Sequence, residues 1–220
     1  MDNSIPLGNF EHLKTLCGSR LPQLEVALDR AEQWMGESAA LINGVSFLTS
    51  NRLRVALALQ HLSMEHHQGV HVLVSQGVIG SAFALVRPQF ETYVRGVWVH
   101  HCASEKQIAD FLKGKGPAGV GKLIEELEKH KEFSCGTLGV LKKSIYNNLN
   151  DFTHGGAIQV KARNSTNEVV SNYLPEHVIG ILEASTTLSG YAAIAIAKAA
   201  EDATLVNTLV EKYQEIHKDG

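Results

Sequence analysis

Residues 51 to 103 read as two long helices joined by a turn that leaves them one way to pack. From Asn51 to Gln76, the residues Val55, Leu59, Leu62, His66, Val70, Leu73 and Val74 recur at three- and four-residue spacing. That spacing lines them along one helical face. From Ser81 to Ala103, apolar residues fall on most faces: Phe83, Leu85, Val86, Phe90, Val94, Val97, Trp98 and Val99. A helix apolar nearly all round is normally a central, buried one. Gly77 and Gly80 punctuate the pattern between the two. Two long helices across so short a connection pack as an antiparallel hairpin. Pro88, inside the second helix, removes a backbone bond near Ala84 and predicts a kink.

The flanking sequence keeps the helical period. Leu21 to Met35 predicts a helix with Gly36 as its stop, and Gly36 to Ser50 reads as a short helix or a loop. Ser104 to Leu112 opens with Ser104 and Gln107 at capping-box spacing. A glycine-rich loop from Gly114 to Gly119 precedes a charged helix, Val120 to Lys131. Thr137 to His154 predicts one helix whose core face carries Leu138, Leu141, Ile145, Leu149 and Phe152. Ala157 to Leu174 reads as a loop or a small hairpin. Pro175 opens a helix to about Ala200, and Ala203 to His217 is the terminal one. The expected fold is all-α: a single-domain helical bundle built on the long antiparallel hairpin, residues 21–220, behind a lead-in of residues 1–20.

Charge and cysteine usage narrow the partners. A net charge of -3 gives no global basic field, so any nucleic-acid contact needs a local patch. The 3 cysteines, Cys17, Cys102 and Cys135, are far apart and in no C-x-x-C pattern. That points to a reducing compartment and away from a disulfide framework or a cysteine zinc site. No basic-then-apolar leader opens the chain. The most apolar run, Ala184 to Ala197, is short and rich in Ala, Ser and Thr. The expectation is a cytoplasmic protein with no membrane partner.

Two stretches carry the candidate site. Arg87, Glu91 and Arg95 stand four residues apart and so stack along one face of the central helix. Buried charges must be paired or lie in a cleft, so the triplet is either an ion-pair ladder that orients helices or part of a site. Tyr93 lies on the same helix and is a candidate binding residue. In the second stretch, Asn147, Asp151 and His154 share a face, with Asn150 beside them. Gly155 fits a left-handed helix end, which puts His154 in the last turn. There the helix carboxyl end and Asp151 both favour the imidazolium. Such a histidine serves as an acid, binds an anion, or simply caps the helix.

The segments SAFALVRPQFETYVRGVWVHH and YNNLNDFTHGG resemble a group of bacterial helical proteins of unknown function, over roughly residues 55 to 156. That group carries R-P-x-x-E-x-x-x-R followed later by His-Gly. The resemblance implies an all-helical fold and a polar pocket joining the two motifs. More distantly, the hairpin looks like HEPN-type proteins, helical dimers many of which are metal-independent ribonucleases in toxin or phage-defence systems. Their Arg-then-His signature is matched by Arg95-Gly-Val-Trp-Val-His100 and by Arg54 with His61, while Gly96 stands where a polar residue often follows the family's Arg.

Eleven histidines are the compositional oddity. His61, Glu65, His66, His67 and His71 cluster on one helix, and His67 with His71 has a spacing able to hold a divalent metal. No H-E-x-x-H or E-x-x-H motif accompanies them, so they read as surface or interface histidines, and no metal or cofactor is expected. Three functions are therefore expected in order. The first is an HEPN-like homodimer acting on RNA. There Arg87 and Arg95 hold an anion, His154 is acid or base, and Glu91 and Asp151 orient Arg and His. The second is a non-catalytic helical binding or scaffold module, holding a small anion or pairing with a second copy through Gly180 to Ala199. The third is a histidine-metal protein.

Overall fold

The computed structural model describes residues 22–218, apart from the side chains of Ser144, Ile145, Asn147, Asn148 and Asn150. The expected lead-in and Cys17 lie outside the described residues. The architecture is all-α. Helix α1 is Pro22–Ile42, α2 is Asn51–Ser75, α3 is Ile79–His101, α4 is Glu105–Leu112 and α5 is Val120–Leu127. After α6, Thr137–Leu141, comes one π-helical turn, Lys142–Tyr146, and then α7, Asn147–His154. A short α8, Ala157–Lys161, precedes α9, Pro175–Ala199, and α10, Ala203–His217.

The hairpin of α2 and α3 is the frame. Gly77 makes the turn with a φ of 73°, a left-handed value that a side chain disfavours. Helix α3 contacts α2, α5, α7 and α9, and Ala82, Val86, Phe90 and Val94 are buried along it. It runs through Pro88 without interruption, leaving the Ala84 carbonyl without its intrahelical donor. The capping box at Ser104 forms: its hydroxyl accepts from the Gln107 N–H, and the Gln107 side chain accepts from the Ser104 N–H.

Three expectations about boundaries are corrected. Gly36 does not stop α1. Trp34, fully buried, donates to Ser189 Oγ at 3.2 Å, and Ser38 is buried one turn on, so packing against α9 carries the helix past the glycine. Thr137 to His154 is not one α-helix but two, joined by the π turn. Ala157 to Leu174 holds a short helix and a lone bridge between Asn164 and Val169.

Helix α9 is long and apolar enough to span a bilayer by length and composition, and half of its most apolar window is buried within the protein. Packing explains that apolarity. Ala192, Ala193 and Ala197 are fully buried, and α9 lies against α1, α2, α3 and α10. Small residues there let the helices approach closely inside the chain.

Candidate functional site

The two stretches singled out in the sequence meet in space. Stacked aromatic rings set their register. Phe83 on α3 stacks on Phe152 of α7 with centroids 4.4 Å apart, and Phe90 meets Tyr146 edge-on at 6.4 Å. The later residue of α3 meets the earlier residue of the facing strip, so the two run antiparallel. Arg87 lies one turn past Phe83, and His154 two residues past Phe152. Arg87 thus starts between the two aromatic contacts, and its long side chain spans the strip from Tyr146 to His154.

Arg87 is the hub. Its Nε donates to Glu91 Oε1 at 3.0 Å, and its Nη2 donates to the Tyr146 hydroxyl at 2.9 Å. Its Nη1 lies 3.1 Å from His154 Nε2. The guanidinium also sits over the Tyr146 ring, 4.6 Å from the centroid, at cation–π distance. Glu91 completes the cluster. Its Oε1 accepts from the Tyr146 hydroxyl at 3.1 Å, and its Oε2 accepts from Arg95 Nη2 at 2.8 Å. The Arg87 and Glu91 side chains are each 17% exposed, while His154 is exposed.

This geometry fixes protonation chemistry. A guanidinium only donates, so in the Arg87–His154 hydrogen bond Nε2 accepts. The ring is then the neutral tautomer with its proton on Nδ1. Burial opposes the charge on Arg87, but the hydrogen bonds it donates to Glu91 and Tyr146, with the Glu91 charge, outweigh that and hold the guanidinium above its ordinary pKa. Burial, then the Glu91 charge, pushes the Tyr146 hydroxyl up. The cluster has two permanent cations against one carboxylate. Arg95 Nε is buried with no partner among the described residues.

Other sequence candidates sit elsewhere. Asp151 does not orient His154. Its Oδ2 accepts from the Ile158 N–H at 3.0 Å, tying α7 to the start of α8. The orienting role expected of Asp151 is thereby corrected. Tyr93 faces the opposite side of α3. It is buried, it stacks on Tyr191 at 6.0 Å, and burial drives its hydroxyl pKa up. The Asn147 and Asn150 side chains lie outside the described residues. Arg95 and His100 diverge: Arg95 turns to Glu91 and His100 lines a cavity with Tyr93. His67 is fully buried on Ser185. Among the described residues no group of three or more His, Cys, Asp or Glu could hold a metal ion. Sequence reasoning passed over Tyr146, although it opens the second stretch.

The double glycine has a local reason. Gly155 has a φ of 66° and its N–H bonds the Asp151 carbonyl, ending α7 in the left-handed region. A Cβ on Gly156 would meet Asp151 Cγ at 2.5 Å. Gly155→Ala has open space for its methyl but must hold a left-handed φ, so a loss of about 1 kcal/mol is expected. Thermal unfolding checks this, and an unchanged midpoint would show that the turn relaxes.

A family model described as a family of unknown function, DUF6988, matches residues 60–219, which include every member of the cluster. No curated protein and no solved structure matches the chain.

Proposed function

We propose that this chain, which belongs to the family of unknown function DUF6988, binds a phosphodiester at Arg87, Arg95, Tyr146 and His154 and acts on RNA without a metal. One observation carries the reading: two arginines converge on a single carboxylate, and one of them also holds an exposed histidine by its ring nitrogen. The net positive charge and the unpartnered Arg95 Nε favour an anion. An arriving phosphate competes for the Arg87 donors. Once Nη1 turns to a phosphate oxygen, the His154 Nε2 lone pair is free to take a proton.

For RNA, His154 takes the proton of the 2′-hydroxyl, and the 2′-oxygen attacks phosphorus. Arg87 and Arg95 hold the charge that builds on the phosphoryl oxygens. The 5′-oxygen leaves with a proton from Tyr146 or water, giving a cyclic phosphate and a free 5′-hydroxyl. The HEPN-like resemblance supports RNA as the substrate class.

A second reading rests on the mutual pairing inside the cluster. Both Glu91 oxygens are satisfied by Arg87, Tyr146 and Arg95, as in a clamp that locks α3 to the strip after α6. In that reading the chain is a binding or scaffold module without turnover. Labelled RNA with chelator present separates the two. His154→Ala is expected to lose roughly 10²–10⁴-fold in cleavage rate, and Arg87→Ala at least about 10²-fold, with His154→Ala still folded by circular dichroism. No cleavage by the unaltered protein, or unfolding of His154→Ala, gives the site to the clamp.

A further inference from the structure

Away from the arginine cluster, α2, α3 and α9 line a cavity of about 250 Å³. Small residues make the room: Ala56 on α2, Gly96 on α3, and Ala195 and Ala199 on α9. Tyr93, Tyr191, Phe133 and the rings of His100 and His101 supply aromatic walls. The Glu132–Lys198 ion pair, partly exposed, stands at one end. Gln60, only 2% exposed, also lines it.

Gln60 is the telling residue. Its Nε2 donates to the Tyr93 carbonyl at 3.2 Å. A carbonyl only accepts, so the amide cannot flip, and Oε1 is left buried with no partner among the described residues. Gly96 lets the amide lie close against α3, for a Cβ there would collide with Gln60 Nε2. An unpaired buried acceptor is costly, and here it belongs to a residue that lines an aromatic-walled space with room for about eight waters. That volume falls just under the usual range of ligand pockets, which limits an occupant to a small molecule.

We propose that this cavity binds a small planar heteroaromatic molecule whose ring N–H donates to Gln60 Oε1. The ring body lies among Tyr93, Tyr191 and Phe133, and any polar substituent points toward Glu132 and Lys198. The site is independent of the arginine cluster, since Tyr93 and Gly96 face away from Arg87.

Indole and benzothiophene test it on the full chain, because they share a shape and only indole carries the N–H. Binding followed by amide chemical shifts is expected to show indole saturating about tenfold more tightly than benzothiophene, with shifts at Gly96 and Ala195. Gln60→Leu is expected to erase that preference. Ala195→Trp, at a partly exposed position, is expected to fill the space and abolish indole binding while leaving the Gln60 side chain unaltered. Equal affinity of the two probes, indole binding that survives Ala195→Trp, or no binding by either would overturn the proposal and leave a water-filled cavity.

Discussion

Glu91→Ala is expected to lower the stability of the chain by about 2–3 kcal/mol, a drop of roughly 5–10 °C in the unfolding midpoint for a protein of this size. The reason is asymmetric. With the carboxylate in place, Arg87 and Arg95 each hold a charge-assisted bond at 3.0 and 2.8 Å. Remove it and two partly buried cations face each other across one helical face, with Tyr146 left holding only Arg87. Breaking a fully buried pair costs about 3–5 kcal/mol. Arg95 is about a third exposed, so water screens its share and the lower figure applies. Glu91→Gln keeps an acceptor and should lose roughly half as much. Phosphate should restore more stability to Glu91→Ala than to the unaltered chain, because the anion then replaces the missing charge. A midpoint within about 1 °C of the parent would show that the cluster clamps nothing.

That result matters for the site as well as the fold. Glu91 does two jobs that pull apart. It neutralises the arginines, which stabilises the hairpin, and it competes with any anion for them. A variant less stable yet more responsive to phosphate would separate those roles. A variant less stable and indifferent to phosphate would leave the ladder as a structural device.

The hairpin and the caps were legible because their signals are local and periodic. Gly77, Ser104 with Gln107, Pro175 and Gly155 each act through their own backbone or the next turn, and each does what its position predicts. The meeting of Arg87 with His154 was legible only as a pair of motifs, since the two residues are 67 positions apart and meet only because α3 packs on α7, Phe83 against Phe152. What misled the reading was competition for partners. Asp151 shares a helical face with His154, but its carboxylate caps an otherwise unsatisfied N–H at the start of α8. Tyr93 lies six residues past Arg87, well round the helix, and so faces Tyr191 instead. Tyr146 was hidden for a different reason. It ends a π turn, where an extra residue shifts the helical face, and a 3.6-residue period read along the sequence cannot register that shift. Gly36 shows the remaining limit: its helix-breaking tendency is worth about 1 kcal/mol, less than the burial of Trp34 beside it.

Acid is expected to destabilise this protein from pH 6.5 downward through a single buried histidine. The His67 ring is fully buried where α2 meets α9. Ser185 Oγ lies 2.9 Å from its Nδ1 and donates its own proton to Gln89 Oε1 at 2.7 Å. The hydroxyl has one proton, so Nδ1–H must donate to it. Burial above all, with His71 nearby, holds the ring's pKa down to about 3 against an ordinary 6.5. The unfolded chain therefore binds a proton between pH 6.5 and 3 that the folded chain refuses. Stability is complete above 6.5 and falls as the pH drops through that window. At 1.36 kcal/mol per unit, this one group removes about 2 kcal/mol by pH 5, a large part of a total of roughly 5–15 kcal/mol. His66, His100 and His101 are half-buried and shifted the same way, chiefly by burial, so they add to the slope. His67→Gln keeps a donor for Ser185 and removes the titration. Denaturant unfolding at pH 7.5, 6 and 5 (values that run from above the window into its upper half) should show a steep loss in the unaltered chain and a clearly shallower one in the variant. Equal slopes in the two would mean that the ring takes up its proton without leaving the fold.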